Sequence, residues 1–197
     1  MTTRFQQLAE IGAPGAVIGV IAGATVGALS MLAGHPLSWG IVGTLTLGVP
    51  LALLGGVYGM LLAAGRFKPG TFTPAGLFWI VGFPVSRLVH ETMTPVVLGG
   101  SPTPPADVLT FLVFQALVGL GFAIGFVWLF ERLTPAWLVS IKDHNPAAEQ
   151  VYTRYAHHAA AMWEARERKR TRRSVRPADR PATAAASGTR GKSRRSA

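Results

Sequence analysis

Four residues near the middle of the chain have the types and spacing of a working site: Arg87, His90, Glu91 and Thr94. Steps of three, one and three residues put them on one face of a helix, and Arg87 and Glu91, four apart, can pair. A guanidinium, an imidazole and a carboxylate in a row can form a structural ion pair, carry protons or a solute, or meet a partner protein. Catalysis has the least behind it. The chain contains no GxSxG elbow and no HExxH helix, and no second His at metal-ligand spacing joins the cluster.

The elements that must position these residues are membrane helices. Hydrophobic residues make up 49% of the 197 positions and charged residues only 14%, against about 25% charged in soluble domains. Before Arg132 the basic residues are Arg4, Arg66, Lys68 and Arg87, and the acidic ones are Glu10, Glu91, Asp107 and Glu131. So little charge does not coat a soluble globule. Four apolar stretches, 11–32, 40–64, 76–98 and 108–130, each match a hydrocarbon core of about 30 Å. The fold class expected is an all-α, four-span bundle, preceded by a short segment 1–10. A basic helical segment 131–173 and a disordered tail 174–197 follow it. An apolar run this long, behind a single Arg4, argues against a cleaved signal peptide.

The third stretch is marginal. Its eleven Leu, Ile, Val and Phe residues contribute about −3 to −7 kcal/mol to insertion, while a central Arg and Glu cost about 5 to 7 kcal/mol. The polar stripe is therefore expected to face the bundle interior or a cavity, with Gln115 of the fourth stretch at similar depth as its neighbour. Pro84 is expected to kink this helix and Pro95 to end or bend it.

Basic residues near the span ends fix the orientation. Arg4, Arg66, Lys68, Arg132 and Lys142 fall on one side only if all four stretches cross. That arrangement puts both termini in the cytoplasm and the protein in the cytoplasmic membrane. Trp39 suits the outer interface, and Trp79, Trp128 and Trp137 suit the inner one.

Small residues recur every fourth position: Gly15, Gly19, Gly23 and Gly27 in the first span, Gly55, Gly59 and Ala63 in the second, and Gly121 and Gly125 in the fourth. Such faces let helix backbones approach closely, either within one bundle or, through the first span, between copies in a homo-oligomer. In the tail, Asn145-Pro146 reads as a helix start. Val151, Tyr155, Ala159 and Met162 form a modest apolar stripe. Arg166, Arg168, Lys169, Arg170, Arg172 and Arg173 form a cluster suited to anionic lipid headgroups or an acidic partner protein. No folded reader accompanies that charge, which argues against nucleic acid.

There is no cysteine, which excludes disulfides, thiol catalysis and Cys-based metal sites. The adjacent His157 and His158 point in different directions on a helix. No cofactor or metal is expected, and no enzymatic activity. The preference for Arg over Lys, with abundant Ala, Gly and Pro, points to GC-rich coding and a bacterial source. The reading is a non-catalytic accessory or scaffold subunit, the alternative a small transporter or channel subunit using the stripe of the third span.

Overall fold

The computed structural model describes residues 3–174. The described residues are helical, in the order α1 (Arg4–Leu32), α2 (Leu37–Ala63), α3 (Phe72–Val97), α4 (Val108–Ile141) and α5 (Pro146–Ser174). The first four are long and apolar enough to cross a membrane, which marks the chain as a small membrane protein. The described residues divide into two compact units, one up to Ala156 and one from His157.

Helix boundaries follow local chemistry. α1 begins seven residues before the expected span, because Thr3 and Gln6 form a capping box. The Thr3 hydroxyl accepts the Gln6 N–H at 3.3 Å, and Gln6 Oε1 accepts the Thr3 N–H at 2.8 Å. α4 continues past the expected end at Phe130, through Pro135, to Ile141. The apolar period continues with it, since Thr134, Leu138 and Ile141 are all buried. At 1.5 Å per residue its 34 residues span roughly 51 Å, well beyond a hydrocarbon core of about 30 Å. Pro84 and Pro95 both lie inside α3, which runs two residues past Pro95. Gly34 and Gly99 follow the ends of α1 and α3 with φ of 91° and 88°, a conformation that glycine adopts without strain.

Each of the helices α1 to α4 packs on its sequence neighbour, and α1 also meets α4. The α1–α2 contact is the most extensive and the α1–α4 contact the slightest. The core holds an aromatic cluster. Tyr58 of α2 meets Phe126 and Phe130 of α4 edge-on, at 5.1 and 5.2 Å between centroids. Trp79 of α3 lies 4.7 Å from Phe122 and 4.8 Å from Phe126. The structure corrects the expectation that Trp79 anchors an interface, because its side chain is fully buried and its Nε1 has no hydrogen-bond partner. Trp39 and Trp128 are exposed, Trp39 stacked on His35 and Trp128 beneath the Arg132 guanidinium.

Polar residues tie the helix ends together where α1 begins, α2 ends and α4 gives way to α5. Trp137 Nε1 donates to the Glu10 carbonyl at 2.8 Å, and His144 Nε2 meets Glu10 Oε1 at 2.8 Å. Asn145 is buried. Its Nδ2 donates to the Gln7 carbonyl at 2.9 Å and to Glu10 Oε2 at 2.8 Å, while its Oδ1 caps α5 through the Ala148 N–H at 3.1 Å. Arg154 donates to the Leu62 and Ala63 carbonyls at 3.2 and 2.7 Å, which satisfies the open end of α2 with a cation at its negative pole. At the opposite end of α4, Asp107 accepts from the Thr110 hydroxyl and backbone N–H. Those two hydrogen bonds, the hydroxyl's first, hold its carboxyl below the usual carboxylate range.

Changing Asn145 to Ala removes a helix cap and two charge- or carbonyl-directed bonds at once. It should cost about 2 to 3 kcal/mol and speed tryptic cleavage after Lys142. Unchanged melting and cleavage would mean that this knot does not hold α5.

Candidate functional site

α3 carries the polar stripe, and its members divide between a pair within α3 and a contact with α2. Arg87 Nη2 donates to Glu91 Oε1, four residues on. Their side chains are 21% and 40% exposed, so the pair lies at the edge of the packed interior. His90 and Thr94 turn instead to α2. His90 Nδ1 lies 2.9 Å from Thr46 Oγ1, and Thr46 Oγ1 lies 2.8 Å from Thr94 Oγ1. Thr94 also reaches its own helix, donating to the His90 carbonyl at 2.7 Å, and Thr46 does the same to Val42 at 2.9 Å. Gly43, one turn away on α2, leaves room for the imidazole: a Cβ there would stand 3.5 Å from His90 Cε1. The result is a small cross-helix network in which each hydroxyl has an acceptor.

Thr46 is the neighbour that sequence reasoning passed over. The signal was available, since a hydroxyl in an otherwise apolar span, at the depth of His90, needs a partner. Gln115 makes no hydrogen bond with Glu91. It is 7% exposed and has no hydrogen-bond partner among the described residues. It borders a cavity of about 820 Å³ walled by α1, α2, α3 and α4, which Arg87 also lines. Leu51, Phe83, Phe114 and Phe122 also line this cavity.

Set against family models, curated proteins and solved structures, the chain finds no match.

The glycines of α1 meet α2 within the same chain. A Cβ on Gly12 would stand 2.6 Å from the Gly56 carbonyl oxygen, and one on Gly15, Gly19 or Gly23 would collide with the α2 backbone at Gly55, Leu51–Ala52 or Gly48. One on Gly27 would strike the Thr44 side chain, and one on Gly59 would stand 2.8 Å from Gly12 Cα. With no hydrophobic drive between helices in lipid, contact this close is what holds the pair. The glycine face of α1 is therefore covered inside one molecule.

α4 behaves differently from the expectation. Nothing lies within 4 Å of a Cβ built on Gly121 or Gly125. The glycine of α4 that a helix covers is Gly119, where a Cβ would stand 2.6 Å from the Trp79 carbonyl oxygen. Two residues along a helix is a rotation of about 200°, so Gly121 sits nearly opposite Gly119. The buried run Gln115, Gly119, Ala123, Phe126, Phe130 marks the true inward face.

In the tail, α5 starts at Pro146 behind the Asn145 cap. Ala148, Val151 and Tyr155 are buried, while Ala159 and Met162 are exposed, so the apolar stripe stops at Tyr155. In the unit from His157, Arg166, Arg168, Lys169 and Arg170 are exposed on the helix, and Arg168 pairs with Glu164 at 2.8 Å. Arg172 and Arg173 continue the helix. The stretch expected to be disordered lies, beyond Ser174, outside the described residues. Among the described residues no group of three His, Asp or Glu stands close enough to share a metal ion.

Proposed function

We propose that this protein is a non-catalytic accessory or scaffold subunit of the cytoplasmic membrane of a bacterium, with both termini in the cytoplasm. One observation carries the reading. His90 and Thr94 of α3 both meet Thr46 of α2, while Arg87 and Glu91 neutralise each other along their own helix, which is how a polar stripe serves packing.

The orientation draws support from the gathering of Arg4, Arg66, Lys68 and Lys142 at the end where Glu10, Asn145 and Arg154 tie the helices together, whereas the segments 33–36 and 98–107 contain no Lys or Arg. The basic cluster from Arg166 to Arg173 suits an anionic lipid surface, at about 1 kcal/mol per residue near it, or an acidic partner.

Affinity purification of the full chain in a mild detergent tests this reading. A membrane protein recovered in fixed ratio is the expected result, and recovery of the chain alone would overturn it. A transporter or channel subunit is the second reading, favoured by the cavity at Arg87 and Gln115. It requires that His90→Ala or Glu91→Gln change flux under a pH challenge.

A further inference from the structure

The cavity among the four helices has an unusual polar end. Gln115 lines it with neither the oxygen nor the nitrogen of its amide hydrogen-bonded among the described residues. A polar group without a partner is costly inside a membrane, and an amide that opens onto a cavity can be satisfied by what occupies it. Arg87 lines the same space, with one nitrogen committed to Glu91 and further N–H donors on the same planar group. The remaining walls are apolar and partly aromatic, including Phe83, Phe114 and Phe122. The hydroxyl of Thr25, also on the wall, already donates to Ile21 at 2.8 Å.

Depth and charge narrow the occupant. Gln115 is seven residues into α4 and Arg87 ten residues from the end of α3, about 10 and 15 Å from those helix ends. The polar end of the cavity therefore lies at the level of the hydrocarbon core, out of reach of headgroups. Glu91 balances the charge of Arg87, so a full anion would meet a carboxylate as well as a guanidinium. An uncharged acceptor gains the N–H donors without that repulsion or the desolvation of a charge. A volume of about 820 Å³ is within the range of sites for small organic ligands. The slight contact between α1 and α4 gives a lateral way in from the bilayer.

We infer that this cavity binds an uncharged, lipid-soluble carbonyl compound of quinone type, its carbonyl oxygens accepting from Gln115 and Arg87 and its ring lying among Phe83, Phe114 and Phe122. This inference is independent of the accessory role.

The test is binding of a short-chain prenylated naphthoquinone to the full chain in nonionic detergent, read by saturation of tryptophan quenching. Trp79 is positioned to report, in contact with Phe122. The wild type should bind with one saturable site. Gln115→Leu should weaken binding about tenfold, and Gly121→Phe should abolish it by filling a wall where a Cβ meets nothing within 4 Å. Neither variant should melt below the wild type, because one removes an unpaired amide and the other replaces a helical glycine. A naphthalene with the same chain but no carbonyls should bind at least tenfold more weakly, and decanoate should not compete. Absence of saturation, unchanged binding by Gln115→Leu, equal binding of the hydrocarbon, or preference for the carboxylate would each overturn the assignment.

Discussion

Leucine at Gly19 should undo the α1–α2 pair. A Cβ at that position already collides with the backbone at Leu51 and Ala52, so the two helices must separate along the whole seam to admit a side chain. The seam has no slack elsewhere, because Gly15 against Gly55 and Gly23 against Gly48 are equally close. Overpacking of this kind costs about 3 kcal/mol, a large share of the roughly 5 to 15 kcal/mol that holds a typical domain together. Gly125→Leu is the control. It adds the same side chain to a helix of the same bundle, where nothing lies within 4 Å, and should change stability by less than about 0.5 kcal/mol. Resistance to SDS unfolding separates the two. Equal resistance would mean that the α1 glycines are not packed against α2, and a cross-linked oligomer lost only in Gly19→Leu would return that face to an intermolecular role.

The second large effect concerns charge. Glu91→Leu leaves Arg87 without its partner inside the membrane, at a cost of about 3 to 5 kcal/mol. Replacing both Arg87 and Glu91 with leucine removes the pair together, and should restore stability to the wild-type level or above it by about 1 to 4 kcal/mol. Thermal midpoints of the two variants in the same detergent give the answer. A single variant as stable as the wild type would show that Arg87 finds another acceptor, and a double variant no better than the single one would show that the residues act separately.

Much of this architecture was legible in the residues, and the failures have physical causes. Hydropathy and length found the four spanning helices, because a backbone in lipid has few alternatives to a helix. The ends were less visible. α1 is extended by a capping box at Thr3 and Gln6, and α4 by an apolar face that outlasts its apolar average, since Glu131 and Arg132 interrupt the run without interrupting the period. Small-residue spacing located the α1–α2 seam but chose the wrong face of α4. Gly121 and Gly125 keep the four-residue repeat, yet only the neighbouring helix decides which repeat faces inward. The stripe of α3 was legible as a set, although not as two networks. A helix face about 100° wide can touch two neighbours, so His90 turns to Thr46 while Arg87 lines the cavity. Trp79 was assigned to the interface by residue type and depth, whereas its surroundings, the rings of Phe78, Phe122 and Phe126, come from three-dimensional proximity alone.

The knot at Asn145 also says something about how the protein comes into being. The contacts of α1 with α2 join neighbours in the sequence and can close as soon as the second helix leaves the ribosome. The bonds from Asn145 to Gln7 and Glu10 cross 138 and 135 positions, and Arg154 reaches back 92 to Leu62. None can form before the chain has been made as far as Asn145. During synthesis the first hairpin therefore waits in the membrane with the Gln7 carbonyl and the Glu10 carboxylate still unclaimed at its edge. The last of these ties come from residues that follow the last spanning helix. A chain cut short before Asn145 would keep the Trp137 bond that ties α4 to Glu10 of α1, and would lose the bonds of Asn145 and Arg154.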